Sequence, residues 1–379
     1  MNALIISGVA ISIFLLSLLL GKKKKLEADK FLIIYLVFFV ISQTYFYLES
    51  FDFLQHSPWM LLGKGLYLLG GPMFFYYVYS LTTSKTISTA LFFLTGLPFL
   101  SYTFHFLYLY FTGFHENEME IRNGVLYVNE QLPVTWSFFT LLFLLSDPFY
   151  LIWFYWLLRK YKQRTLQSLS NTERINLSWL NCLFYVWGVS AIVLFPLTLL
   201  SLSGNWIPYS FIAVLLQIDY VIFIFIVGYF GFKQAVVFTD IEFDAAPLKL
   251  DEKYLPYERS GLSEDQAIVH HHKLLMVMKE QKPYLNGELT AQELSVQLGI
   301  SPNHLSQVLN QQQEQNFFDF INSYRLEEVK QKMQDQQYRK YTLLAIALES
   351  GFNSKTSFNT LFKKATGYTP SQYYKSVNR

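Results

Sequence analysis

Seven long apolar segments in the first 232 residues restrict the fold of this chain more than any other feature. They cover residues 3–20, 31–48, 60–81, 87–111, 136–158, 179–200 and 209–230. Each is close to the roughly 20 residues that a helix needs to cross the hydrocarbon core of a bilayer. Backbone groups in lipid must be satisfied within the segment, and a helix does this. The sequence therefore predicts a seven-helix transmembrane bundle over residues 1–232.

The character of the sequence changes after this bundle. Only 15% of the whole chain is charged, against about 25% in ordinary soluble proteins, and most of its charged residues follow Lys233. We expect a connector over residues 233–262 and a soluble domain over residues 263–379. Cys182 is the single cysteine, which excludes an intrachain disulfide and a cysteine-based zinc site. We expect no metal and no cofactor.

The basic residues of the short loops predict an orientation in the membrane. The loops after the first and fifth segments carry Lys22, Lys23, Lys24, Lys25, Lys30, Arg159, Lys160, Lys162, Arg164 and Arg174. On the other side the sequence places only Arg122. Loops rich in lysine and arginine stay in the cytoplasm. The N-terminus is therefore expected outside, and the C-terminal domain is expected in the cytoplasm.

A few polar side chains interrupt the apolar segments. They are Asp147, Asp219, Gln217, Lys64 and His105. Ionisable groups inside a membrane are costly and are candidates for function, so the five predict a ligand-sensing pocket that opens outward. A structural alternative stays open, in which Lys64 reaches the membrane surface, His105 makes a packing hydrogen bond and the two aspartates stabilise the helix bundle.

The C-terminal domain contains two helices joined by a short turn, predicted over residues 290–312. Thr290 and Glu293 have capping-box spacing, and Gly299 is placed to end the helix that they begin. Ser301 is placed to cap a second helix, with Pro302 at its first position. The sequence therefore predicts a helix-turn-helix, called HTH1 below.

The same pattern returns 52 residues later and predicts a second helix-turn-helix, HTH2, over residues 342–366. Gly351 aligns with Gly299, and after a turn one residue longer Phe358 aligns with Leu305. Between the two motifs, residues 316–334 place apolar side chains at helical spacing and predict a linking helix. The fold class expected for the whole chain is all-α.

Polar side chains on the second helix of each motif are expected to face outward. They are Asn303, His304, Gln307, Gln311 and Gln312 in HTH1, and Ser354, Lys355, Thr356, Asn359, Thr360, Lys363 and Lys364 in HTH2. Amides can read base edges and lysines can neutralise phosphates, so these residues predict contacts with double-stranded DNA. A purely structural or protein-binding role is the alternative, because helix-turn-helix motifs also occur in proteins that bind no DNA.

About the last 100 residues resemble the DNA-binding domain of the AraC/XylS family of bacterial transcription regulators. The resemblance lies in "LTAQELSVQLGISPNHLS", in "YRLEEVKQKM", and most specifically in "IALESGFNSKTSFNTLFKKATGYTPSQYY". It implies promoter binding and contact with RNA polymerase as an activator. The multi-span half in front of this domain resembles a less common membrane-anchored branch of the family, for which the bacterial inner membrane is the expected location. HTH1 departs from the family where Leu309 replaces a phenylalanine and Gln311 and Gln312 replace a basic pair.

The resulting interpretation is a membrane-embedded one-component transcription regulator, not an enzyme. Its expected partners are promoter DNA, RNA polymerase, membrane lipid, an unidentified small-molecule or envelope signal, and a second copy in a homodimer. Two alternatives stay open. The membrane half could be a transporter or enzyme fused to a regulatory domain. Alternatively, proteolysis in residues 233–262 could release a soluble factor from a passive anchor.

Overall fold

The computed structural model describes residues 2–22, 25–49, 63, 65–83, 87–112, 119–122, 125–128, 134–172, 178–204, 208–237 and 262–378. The chain divides into two compact units. The N-terminal unit comprises residues 1–159 and 177–249, and the C-terminal unit comprises residues 160–176 and 250–379. Residues 160–176, which the sequence places between two apolar helices, therefore belong with the C-terminal unit.

The described residues as far as 237 form seven helices and one hairpin. The helices are α1 (Asn2–Leu20), α2 (Glu27–Glu49), α3 (Tyr67–Thr82), α4 (Thr89–Phe111), α5 (Val134–Ser168), α6 (Ser178–Gly204) and α7 (Tyr209–Val237). Strands β1 (Met119–Arg122) and β2 (Val125–Val128) pair antiparallel, with Met119 opposite Val128. The all-α class is confirmed, with this hairpin as its one departure in the described part of the chain.

Six of these helices are long and apolar enough to cross a membrane. They are the helices other than α3, which is described over 16 residues. The third predicted segment begins at residue 60, which lies outside the described residues. A count of seven spans therefore stays a prediction.

Aromatic side chains form the centre of the N-terminal unit. The ring of Phe74 on α3 packs against rings from α2, α3, α5, α6 and α7, with centroid distances between 5.0 and 6.3 Å. The partners are Tyr35, Tyr77, Phe154, Trp187 and Phe223. Tilted and edge-to-face pairs of this kind contribute about 0.5–1.5 kcal/mol each beyond simple burial. Phe74 thus holds five helices together.

In addition to residues 160–176, the C-terminal unit contains seven further α-helices in its described part. They are α8 (Glu264–Glu280), α9 (Ala291–Leu298), α10 (Pro302–Gln313), α11 (Phe317–Gln334), α12 (Leu343–Glu349), α13 (Lys355–Thr366) and α14 (Pro370–Val377). Helices α9 and α10 lie at HTH1, helices α12 and α13 lie at HTH2, and α11 joins the two motifs.

The linking helix α11 contributes to two separate apolar cores. Phe320 and Ile321 pack with α8, α9 and α10 around HTH1. Val329 and Met333 pack with α12 and α13 around HTH2. Full burial of such side chains stabilises a fold by about 1.5–3 kcal/mol each. Because one helix carries both cores, it acts as a spacer between the two motifs.

Side-chain caps determine where the helices of the two motifs begin. Oγ1 of Thr290 accepts the backbone N–H of Glu293 at 3.2 Å, and Oε2 of Glu293 accepts the N–H of Thr290 at 2.8 Å. Oγ of Ser301 accepts the N–H of His304 at 3.2 Å, which starts α10. Ser354 caps α13 in the same way. Replacing such a cap by alanine typically costs about 1 kcal/mol.

Candidate functional site

Helix α13 separates an apolar inner face from a polar outer face. Phe358 and Phe362 are fully buried on its inner side. Six of the seven residues predicted for HTH2 are exposed, namely Lys355, Thr356, Asn359, Thr360, Lys363 and Lys364. Ser354 is half-buried, and its hydroxyl caps the helix. Hydroxyl, amide and ammonium groups therefore share one accessible face, which suits contact with base edges and phosphates.

The corresponding helix of HTH1, α10, requires one correction. Gln311 is exposed, and Asn303 and His304 are half-buried, as an outward face needs. Gln307 is only 5% exposed. Its amide nitrogen donates to the carbonyl oxygen of Leu262 at 3.1 Å and to Oε1 of Gln311 at 3.3 Å. The prediction that Gln307 faces outward is wrong, because the segment that precedes α8 covers this position.

A buried arginine lies where the two motifs meet the linking helix. Arg325 on α11 is 1% exposed. Its Nε donates to the carbonyl oxygen of Tyr284, and one terminal nitrogen donates to the carbonyl oxygen of Asn286, both at 2.8 Å. Burial lowers the pKa of Arg325 to about 10, against an opposing effect of Glu288. The guanidinium therefore stays charged at neutral pH and ties the turn before α9 to α11.

A second polar group supports the same turn. Oε2 of Glu328 on α11 accepts hydrogen bonds from Nζ of Lys282 at 2.9 Å and from the hydroxyl of Tyr284 at 3.0 Å. Burial alone would raise the pKa of Glu328, but these two donors and the nearby charge of Lys332 outweigh it, and the pKa lies below its ordinary value. Since the folded-state pKa is lowered, the stabilisation is present above the unfolded pKa and is lost as the pH falls through the folded one.

The region of the C-terminal unit that contains the two motifs matches a known protein family. A family described as "Helix-turn-helix domain" matches residues 294–376, which include α10 to α13 and most of both motifs. Residues 294–376 form an AraC-type helix-turn-helix domain. The resemblance drawn from the sequence is confirmed for this domain.

Curated relatives of the AraC-type domain carry names that agree with this assignment. Two of them are named as uncharacterized HTH-type transcriptional regulators of Staphylococcus aureus, from strains COL and MSSA476. Each is 34% identical over 109 residues, which are 29% of this chain. The matched segment spans 14% of the length of these relatives. No solved structure matches the chain.

The carboxylates of Asp147 and Asp219 in the N-terminal unit each have a hydroxyl donor. The Tyr67 hydroxyl donates to Oδ2 of Asp147. Oγ of Ser190 donates to Oδ1 of Asp219 at 2.5 Å. The structure therefore adds, as partners of the two carboxylates, Tyr67 and Ser190, which the sequence alone did not single out.

Of the other three residues predicted for sensing, the structure describes Gln217 and His105. Oε1 of Gln217 on α7 is buried and has no hydrogen-bond partner among the described residues. The ring of His105 stacks on Phe139 with centroids 5.0 Å apart, and its Nε2 likewise has no partner within the described part of the chain. Lys64 lies outside the described residues. A search of the described residues finds no cluster of three His, Cys, Asp or Glu side chains that could hold a metal ion.

Proposed function

We propose that this chain is a membrane-embedded one-component transcription regulator. In this proposal α10 and α13 enter the major groove of promoter DNA, and α11 holds them on one side of the duplex. One observation carries the proposal. An AraC-type domain with an exposed basic and amide face on α13 occurs in the same chain as six helices that are apolar and long enough to cross a membrane.

The charge distribution supports a division of labour between the motifs. Residues 283–329 carry six acidic side chains and one basic one, a net charge of −5. Residues 330–379 carry nine basic and two acidic side chains, a net charge of +7. Neutralising phosphates provides most sequence-independent affinity. HTH2 therefore supplies the phosphate contacts, and HTH1 adds base selection through Asn303, His304 and Gln311.

Footprinting tests the arrangement of the two readers. Two helices held on one face of the duplex contact major-groove segments about one helical turn, roughly 10 base pairs, apart. Purified full-length protein in detergent is expected to protect two such segments of a target promoter from nuclease. A single protected segment, or none, would contradict the double reader.

The buried position of Gln307 leads to a specific prediction. Because its amide contacts Leu262 and not the solvent, the Gln307→Met variant is expected to bind promoter DNA as tightly as the parent chain. Gln311 lies four residues later in α10, at an exposed position. Because we propose that Gln311 reads a base, Gln311→Met is expected to weaken binding to the cognate sequence by about 1–3 kcal/mol. Gel-shift titration of both variants checks this. Equal losses of DNA affinity in the two variants would show that Gln307 does contribute to the DNA interface.

For the membrane half we propose that Asp147 and Asp219 form the centre of a sensing site. Each carboxylate lies inside an apolar helix, where an ionisable group is costly, and each is held by a hydroxyl from a neighbouring helix. A ligand that competes for these hydroxyls would change the packing of α3 against α5 and of α6 against α7. The occupant is a small molecule or an envelope-derived signal that offers hydrogen-bond donors or a positive charge.

An Asp219→Asn variant tests this site. Asparagine keeps an oxygen that can accept from Ser190, but it removes the charge. Coupling between a sensor and an output typically changes affinity by roughly fivefold or more. In the parent chain we therefore expect promoter output to differ by about that factor between growth conditions, and in Asp219→Asn we expect the difference to disappear. Ser190→Ala removes the hydroxyl and keeps the carboxylate, so it separates loss of this hydrogen bond from loss of the charge. An unchanged response in Asp219→Asn would remove this carboxylate from the sensing site.

The remaining parts of the proposal concern location and partners. The protein resides in the bacterial inner membrane with its N-terminus outside and the AraC-type domain in the cytoplasm, since the basic loops follow the positive-inside rule. Beyond membrane lipid and promoter DNA, its partners are RNA polymerase, which it contacts as an activator, and a second copy of itself. It has no enzymatic activity.

A further inference from the structure

Two residues that directly follow α5 are buried inside the C-terminal unit. Leu169 is 6% exposed and Ser170 is 1% exposed. Leu169 pairs with Thr290 as an isolated antiparallel bridge. The backbone N–H of Ser170 donates to the carbonyl oxygen of Leu289 at 3.3 Å, and its hydroxyl donates to the same oxygen at 2.6 Å. The backbone here forms a single β-bridge beside the start of α9.

Ser170 also completes the hydrogen bonding of Arg325. A guanidinium has five N–H donors. Three of them reach Tyr284, Asn286 and Asn322. The other two reach Ser170, one at its carbonyl oxygen at 3.0 Å and one at its hydroxyl oxygen at 2.9 Å. Without Ser170 this buried cation would keep two donors unsatisfied, and an unsatisfied buried donor is strongly disfavoured.

Asn322 adds a further contact from the linking helix. Its side-chain nitrogen donates to the carbonyl oxygen of Ser170 at 3.2 Å. Ser170 is therefore bonded on one side to Leu289, at the entry to HTH1, and on the other to α11. Arg325 in turn lies next to Gly351 of HTH2, since a side chain at that glycine would come within 2.9 Å of Nε. The contacts of one serine thus converge on the junction of both motifs.

The buried residues Leu169 and Ser170 lie directly at the C-terminal end of helix α5. Helix α5 runs without interruption from Val134 to Ser168, and it is one of the six helices that are long and apolar enough to cross a membrane. Leu169 and Ser170 follow its last residue. No linker separates these two residues from the helix, so a movement of α5 along its axis would move them as well.

We propose that Leu169 and Ser170 form an intramolecular latch, which docks between the entry to α9 and the linking helix α11 and holds the two motifs in their DNA-binding arrangement. The effect on DNA binding rests on the proposed function; the docking itself does not. This route from the membrane half bypasses the connector over residues 233–262.

Cysteine crosslinking of the full-length protein tests the docking. In a Cys182→Ala background, Leu169→Cys and Thr290→Cys place two thiols on directly opposed residues, whose Cα atoms in antiparallel pairs are about 4.5–5.5 Å apart, within disulfide range. A protease site inserted at residue 250 separates the two positions. After mild oxidation of membranes and cleavage, we expect the fragments to stay joined until a reductant is added.

Two controls accompany the crosslink. Gln163→Cys with Thr290→Cys places a thiol on an exposed position of α5, and its fragments are expected to separate. Thr290→Cys alone reports any effect of losing the cap of α9. Failure of the Leu169 and Thr290 pair to crosslink, or equal crosslinking by the Gln163 pair, would overturn the docking.

Promoter occupancy tests the consequence. Ser170→Leu removes the hydroxyl and adds bulk at a buried position, whereas Gln163→Leu makes a similar change at an exposed one. We expect occupancy per membrane-bound molecule to fall at least severalfold in Ser170→Leu, to fall less in Ser170→Ala, and to stay unchanged in Gln163→Leu. Unchanged or raised occupancy in Ser170→Leu would overturn the latch's role. Absence of occupancy in the parent chain would instead contradict the proposed function, and the crosslink would still decide the docking.

Discussion

The Gly351→Ala variant is expected to lose the fold of the C-terminal unit. Gly351 has φ of +92°, a left-handed conformation that costs an alanine about 1–2 kcal/mol. Its new Cβ would also clash with the carbonyl oxygen of Tyr284 and come within 2.9 Å of Nε of Arg325. Both neighbours are held by hydrogen bonds, so neither can move freely. Strain and overpacking together reach about 3–5 kcal/mol, a large part of a domain's total stability.

Gly367→Ala is the matched control for this variant. Gly367 has φ of +77°, but no neighbouring atom lies within 4 Å of the place that an alanine Cβ would occupy. We expect only the conformational cost, about 1–2 kcal/mol. Limited proteolysis of detergent-solubilised protein over a temperature series measures both variants. Equal protection of Gly351→Ala and Gly367→Ala would show that the junction of Tyr284, Arg325 and Gly351 is not packed as described.

The second large effect is expected on DNA affinity. Lys363 and Lys364 are exposed in the last turn of α13, where we propose that they contact phosphates. Each phosphate contact contributes about 0.9 to the slope of log K against log salt concentration. Changing both lysines to glutamine is expected to reduce that slope by about 2 and to weaken binding by about tenfold at moderate salt. Specific and nonspecific DNA should be affected alike.

A single-charge comparison separates local contacts from a general loss of charge. Lys279 is exposed in the last turn of α8, outside the proposed interface, so Lys279→Gln should leave the salt slope unchanged. Lys363→Gln or Lys364→Gln alone should reduce it by about 1. Equal slopes in Lys279→Gln and Lys364→Gln would contradict the assignment of phosphate contacts to HTH2.

Short-range rules predicted much of the AraC-type domain correctly. The caps Thr290 and Ser301 mark their helix starts because their interactions lie within four residues along the chain, and Pro302 follows at the first helical position. Phe358 and Phe362 are one helical turn apart, Leu305 occupies the position of HTH1 that aligns with Phe358, and all three are buried. Such features depend only on local sequence, so a single sequence is enough to read them.

Other features depend on contacts between distant residues, and no local rule reveals them. Gln307 is polar and near an exposed stretch, but Leu262, 45 residues away, covers it. Ser170 and Arg325 are 155 residues apart. The hydroxyl partners of the carboxylates are hidden in the same way, because Tyr67 and Asp147 are 80 residues apart. The partners in each of these contacts are brought together only by the packing of the helices, so the sequence pattern around either residue does not predict them.

Crosslinking and sequencing of DNA bound to the full-length protein in intact cells, together with an immunoblot of membrane and soluble fractions, tests the central claim most directly. The account predicts discrete promoter sites while all of the protein remains in the membrane fraction at full length. A shorter soluble fragment at those sites would show release by proteolysis. No enriched sites, with the protein intact in the membrane, would contradict regulation of transcription by this chain.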